Sequence, residues 1–90
     1  MTKLILKFQS EGCNPCKQLA KVIKETYLPP DIEIHDVWVD KEPNLARQYL
    51  VRAVPTCILL EDEVEVKRHT GMMSPTALQN FVGSDPAAES

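Results

Sequence analysis

No cluster of lysine or arginine occurs in this chain, and its net charge is −3. A nucleic-acid-binding role is therefore not expected. Long hydrophobic runs are missing too: every apolar stretch falls far short of the roughly 20 residues that span a bilayer, so no membrane association is expected. The first apolar stretch is cut by Lys7, and no small-residue cleavage site follows it. That pattern gives no sign of a secretory signal. Cysteine is scarce, with three in 90 residues. An odd count suits a disulfide framework badly, and a reducing, cytoplasmic compartment is the expectation. Repeats, internal linkers and a second domain are absent from the pattern. What remains is one domain, residues 1–83, with a small, polar tail at 84–90 expected to be flexible. The apolar content of 43% and charged content of 26% are ordinary for a globular protein with a modest core.

Two of the cysteines carry the chemistry. Cys13-Asn14-Pro15-Cys16 lies between an apolar run, Lys3-Leu4-Ile5-Leu6-Lys7-Phe8, and an amphipathic one. In the second run Leu19, Ala20, Val22, Ile23 and Tyr27 share a helical face. The pair therefore sits on a strand-to-helix turn, with Cys16 in the first helical turn. Residues three apart on a helix are neighbours, so the two sulfurs can close a small disulfide ring. Unpartnered N–H groups at a helix start favour negative charge. Cys13, the outer cysteine, is expected to have a lowered pKa and thiolate character. The thiolate is the species that attacks a disulfide. Two small core residues would be the plain alternative, and this seam suits them poorly.

The remaining pattern alternates strands and helices. Residues 3–8 predict a strand, and 14 to about 27 a helix whose first turn tolerates Pro15. Leu28-Pro29-Pro30-Asp31 is a stop. Residues 32–39 predict a second strand, parallel to the first through a right-handed crossover. Pro43 opens a short helix with Leu45, Ala46, Tyr49 and Leu50 as its apolar face. Residues 57–60 and 64–69 predict two strands joined by the acidic turn Glu61-Asp62-Glu63, which stands where an Asn-Gly turn is usual. Gly71 breaks the last strand. Ser74 suits an N-cap and Pro75 a first helical residue, leading a helix with Leu78, Phe81 and Val82 that Gly83 ends. The order β-α-β-α-β-β-α predicts an α/β fold, a four-stranded mixed sheet with its three helices on both faces.

Three motifs in that order resemble thioredoxin more than glutaredoxin. Cys13-Asn14-Pro15-Cys16-Lys17 is similar to Cys-Gly-Pro-Cys-Lys. Val39-Asp40-Lys41-Glu42-Pro43, followed by Tyr49-Leu50-Val51-Arg52-Ala53-Val54-Pro55-Thr56, resembles the family's Val-Asp-x-x-Pro and Tyr-x-Val-Arg-x-Ile-Pro-Thr segments. Gly71 precedes the last helix, as in the family. The resemblance runs from Lys3 to Val82. It implies a minimal, phage-type or microbial thioredoxin-like fold without the N-terminal strand and helix of the full-length form. It implies a thiol–disulfide oxidoreductase that reduces protein disulfides with no cofactor beyond its own redox-active disulfide. Cys13 would form the mixed disulfide and Cys16 would resolve it, with Pro15 tuning the potential. Pro55 would follow a cis bond, and Val54 would offer its backbone to an extended client strand. Gly12, Asn14, Gly71 and Met72 would complete the client groove. The implied partners are disulfide-containing clients, with ribonucleotide reductase as a candidate, and a thioredoxin-reductase-type donor. The implied state is a monomer.

The chain departs from the family at telling places. Gly12 stands where Trp is usual, so the docking surface is expected to be less aromatic. Asn14 stands where Gly is usual. Lys7 takes the place of a buried Asp, and Asp36 that of its lysine partner, so the pair is charge-swapped. One reading is a partly buried Lys7–Asp36 ion pair beneath Cys16, where the ammonium lowers the thiol's pKa and burial lowers the lysine's own. The other is a solvated lysine and a solvated aspartate at strand ends. Cys57 reads as a small core hydrophobe, with a regulatory thiol as the alternative. Of Met72 and Met73 at least one is expected in the core. His35 and His69 read as solvated or hydrogen-bonded, and Trp38 as a cover for the sheet. Rival functions are three. A glutathione-dependent glutaredoxin is weakened because Gly71-Met72-Met73-Ser74 stands where a Gly-Gly-x-x-Asp-like segment belongs. A metal or iron–sulfur module is short of ligands. A redox-inert adaptor would have no use for two intact cysteines.

Overall fold

The computed structural model describes residues 3–83, and the expected tail at 84–90 lies outside them. The elements are β1 (Lys3–Gln9), α1 (Asn14–Glu25), β2 (Ile32–Trp38), α2 (Pro43–Gln48), β3 (Thr56–Glu61), β4 (Val64–Thr70) and α3 (Pro75–Gly83). They form one four-stranded sheet in the order β2-β1-β3-β4. β1 pairs with β2 in parallel and with β3 antiparallel, and β3 pairs antiparallel with β4. The predicted element order and mixed sheet are those observed.

β1 is central and buried along most of its length, which is why it reads as an almost unbroken apolar run. Successive side chains of a strand point to opposite faces, and the core divides accordingly. Ile5, Cys57 and Leu59 pack with Leu19 of α1 and with Leu78, Phe81 and Val82 of α3. Leu6, Phe8, Ile58 and Leu60 pack on the other face, where Leu45, Ala46 and Tyr49 close over them. Lys7 shares the odd-numbered face of β1 with Ile5, on the α1 side.

Two expectations need correction. Tyr27 lies outside α1 and is 75% exposed. Thr26 takes an extended backbone at the C-cap, and its hydroxyl donates to the Val22 carbonyl, so the helix stops before Tyr27 can join its face. Leu50 does not belong to the apolar face of α2. It sits past the Tyr49 C-cap at φ +56° and is 71% exposed. There Leu50 N–H donates to the Arg47 carbonyl and Val51 N–H to the Ala46 carbonyl, the two bonds of a Schellman ending, which demands a left-handed residue at that point. The acidic turn is solvated, and Asp62 and Glu63 both have positive φ, 51° and 70°, as a two-residue hairpin turn of this hand requires. Ser74 caps α3 by accepting the Ala77 N–H on its hydroxyl at 3.1 Å.

Candidate redox site

β1 ends at Gln9, and the chain must turn sharply to start α1 at Asn14. Gly12 makes that turn at φ +75°, a conformation costly to a residue with a Cβ. Cys13 is then the N-cap. Its sulfur accepts the Cys16 N–H at 3.2 Å, and its carbonyl accepts the Lys17 N–H at 3.1 Å. Pro15 falls in the first turn, where its missing N–H would have had no helical partner anyway. Cys13 and Cys16 are joined as a disulfide, with Cα atoms 5.2 Å apart. Cys16 is buried while Cys13 is half-buried, so an attacking or attacked partner meets Cys13 first.

The sheet register gathers the other candidates at the same end. Thr56, the first residue of β3, pairs with Phe8 and with Thr70. The loop before it and the loop after Thr70 therefore meet near the end of β1. The Val54–Pro55 bond is cis. Gly71, at φ +101°, donates its N–H to the Pro55 carbonyl at 2.7 Å, and Thr56 Oγ1 donates to the Ala53 carbonyl at 2.7 Å. Met72 follows, 39% exposed, with its carbonyl 3.0 Å from His69 Nε2. Met73 is in the core. Cys13, Pro55, Gly71 and Met72 thus occupy one end of the molecule with Gly12, Asn14 and Val54. The Val54 side chain packs against the α2-side core.

Behind the disulfide, on the α1 side of the sheet, lies a cleft of about 480 Å³ whose walls include Lys7, Gln9, Cys16, Ala20, Asp36 and Trp38. Lys7 and Asp36 are register partners across β1 and β2. Their ion pair spans 3.2 Å between Lys7 Nζ and Asp36 Oδ1, with the lysine side chain 7% exposed and the aspartate 50%. The two are paired, not separately solvated. Trp38, read from sequence as a cover for the sheet, lies over it as one wall of this cleft, which Cys16 also lines. Parity could have shown it: Trp38 is two residues beyond Asp36 and opposite Gln9, so all of these share one face. Gln9 was missed for the same reason. Cys57 is Lys7's partner on the other side and is buried. Its thiol is pushed up to about 11, chiefly by burial and slightly by Asp36, against a lowering by Lys7. It stays protonated near neutrality, as a core residue would.

Among the described residues, no group of three or more His, Cys, Asp or Glu is placed to hold a metal ion. No helix there is long and apolar enough to cross a membrane. A sequence model of the thioredoxin family matches residues 1–84. The chain is 36% identical over 80 residues to the thioredoxin of Chlamydia trachomatis, across 88% of this chain and 78% of that one. Among solved structures it is similar to a point mutant of thioredoxin from Halobacterium salinarum. That likeness has a TM-score of 0.81 at 29% identity, over 89% of this chain and 71% of the other. Oxidised mitochondrial thioredoxin 3 of Saccharomyces cerevisiae gives 0.79 at 31% identity, over 89% and 76%. With that match spanning nearly its whole length and the paired cysteines in place, the chain belongs to the thioredoxin family and is a thiol–disulfide oxidoreductase with protein-disulfide reductase activity.

Proposed function

We infer that Cys13 is the attacking sulfur and Cys16 the resolving one. The observation that carries this is the asymmetry of the pair. Cys13 caps α1 and accepts the Cys16 N–H, while Cys16 is buried behind it. Once the disulfide is reduced, the helix start and that N–H favour a thiolate on Cys13. The Cys13 thiolate attacks one sulfur of a client disulfide, and the other client sulfur leaves as a thiolate that takes up a proton. Cys16 then loses its proton and attacks the Cys13 sulfur. The mixed disulfide breaks, and the second client sulfur departs and is protonated. Two electrons and two protons have passed to the client, and the Cys13–Cys16 disulfide remains. Thioredoxins act on disulfide-containing substrates with a reductase as partner, and such a reductase would return the two electrons. The pair itself holds them, so the reaction calls for no further cofactor.

The client strand docks at the end of the sheet that carries Gly12, Asn14, Val54, Pro55, Gly71 and Met72. The shared position of these residues, fixed by the strand register, supports the reading. The protein acts as a monomer in a reducing compartment, the cytoplasm, where its dithiol can be regenerated. Ribonucleotide reductase is a candidate client. Insulin-disulfide reduction tests the assignment. Cys13→Ser reduces the rate to that of dithiothreitol alone, whereas Cys16→Ser retains attack and accumulates a mixed disulfide on Cys13 visible by mass. Equal trapping by both single variants, or by neither, rejects the assigned order.

A further inference from the structure

The cleft behind the disulfide holds a cation where the surrounding chemistry is apolar. Lys7 is 5% exposed, on a face it shares with Ile5, Cys57 and Leu59. Taking an ammonium out of water costs several kcal/mol even after relaxation. Its counter-ion does not fully compensate, because the Asp36 side chain is half in solvent and solvent screens an exposed charge far more than a buried one. A residual positive field therefore acts inside the cleft, and Cys16 is a buried wall of that cleft. The titratable groups around Lys7 are Asp36 from β2, Cys57 from β3, and Glu11, Cys16 and Lys17 from the turn and α1. Glu11 and Lys17 are exposed, of opposite sign and screened. Cys57 stays neutral. Lys7 is the buried charge of the set, and Cys16 is the group there whose charge changes during the reaction.

We propose that Lys7 is a positioning residue for the resolving step: its ammonium favours the thiolate of Cys16, and Asp36 holds that ammonium in the cleft while moderating its field. The proposal rests on the assignment of Cys16 as the resolving sulfur. Cys16 gives its proton to solvent at the half-exposed Asp36 end of the cleft, its sulfur bonds to the Cys13 sulfur, and the bond from Cys13 to the client breaks.

The two partners predict opposite signs, which a merely structural ion pair does not. In a Cys13→Ser background, the alkylation rate of Cys16 by iodoacetamide is followed against pH by mass, with buried Cys57 as an internal check on folding. Adding Lys7→Met moves the Cys16 profile to higher pH by about one unit. Lys7→Arg leaves it near its starting place. Asp36→Asn moves it to lower pH. If Lys7→Met fails to fold, Asp36→Asn at its half-exposed position carries the test alone. Unmoved profiles in the variants that fold, or shifts of the same sign in Lys7→Met and Asp36→Asn, overturn the proposal. None of these readouts requires client turnover, so they fail separately from the insulin assay.

Discussion

Each of the three cysteines has a different environment, and that difference decides what each can do. Cys13 is reachable at a helix start, Cys16 is buried behind it, and Cys57 is enclosed between strands. Burial holds the Cys57 thiol up at about 11, against an ordinary 9.0. The folded state therefore binds this proton more tightly than the unfolded state does. Its contribution to stability is complete below about pH 9 and is lost as pH rises toward 11. The loss is about 1.4 kcal/mol per pH unit in that window. Urea denaturation at several alkaline pH values should show this fall in the wild type and a shallower one in Cys57→Ala. That substitution also lowers stability near neutrality by about 1–2 kcal/mol through the cavity it leaves. The sequence showed Cys57 as a core residue because it enters an apolar strand. It did not show that its neighbour across the ladder is a lysine.

At the scale of elements, several joints use residues that fit their backbone imperfectly. Glu63 and Leu50 both occupy the left-handed region, which costs a non-glycine residue about 1–2 kcal/mol. Glu63→Gly and Leu50→Gly should each raise stability by about 1 kcal/mol or somewhat less, once the added freedom of the unfolded chain is counted. In a domain of this size that is a few degrees in Tm by calorimetry. An unchanged or lower Tm for both would mean that these side chains make contacts worth the strain. Ser74→Ala should cost about 1 kcal/mol by removing the cap from α3. These features were legible in sequence to different degrees. Ser74-Pro75 follows a strong local preference for helix starts, and the structure uses it. Leu50 looked like one more apolar helix residue. Its exclusion comes from where α2 ends, which is set by the return of the chain to the core at Val51.

Across the whole molecule, the site is assembled by the sheet. β1 delivers the cysteines, β3 begins just after the cis bond, β4 ends just before Gly71, and β2 brings Asp36 and Trp38 alongside Lys7 and Gln9. Gly71 connects two of these pieces through its bond to the Pro55 carbonyl. A Cβ there meets no atom within 4 Å, so space is free, but the φ of +101° is strained for any residue except glycine. Gly71→Ala should therefore lower stability by about 1–2 kcal/mol. It should also slow insulin reduction beyond what the stability loss accounts for, because the Pro55 loop, on which we infer the client strand docks, shifts with its Gly71 hydrogen bond. Stability and rate measured on the same sample separate the two effects.

The sequence by itself determined what depends on neighbours in the chain. The Cys-x-x-Cys spacing, the proline in the first helical turn, the run of buried strand residues and the order of elements all express local geometry and hydrophobic period. The family resemblance added the cis loop and the likeness of Lys7 and Asp36 to a charge-swapped pair. Only the tertiary structure decided which of those residues meet. The Lys7–Asp36 ion pair, the place of Trp38 and Gln9 in the cleft wall, and the closeness of Gly71 to Pro55 depend on strand register. Register is a property of pairing between distant segments, and a shift by one residue would turn every one of these side chains to the opposite face.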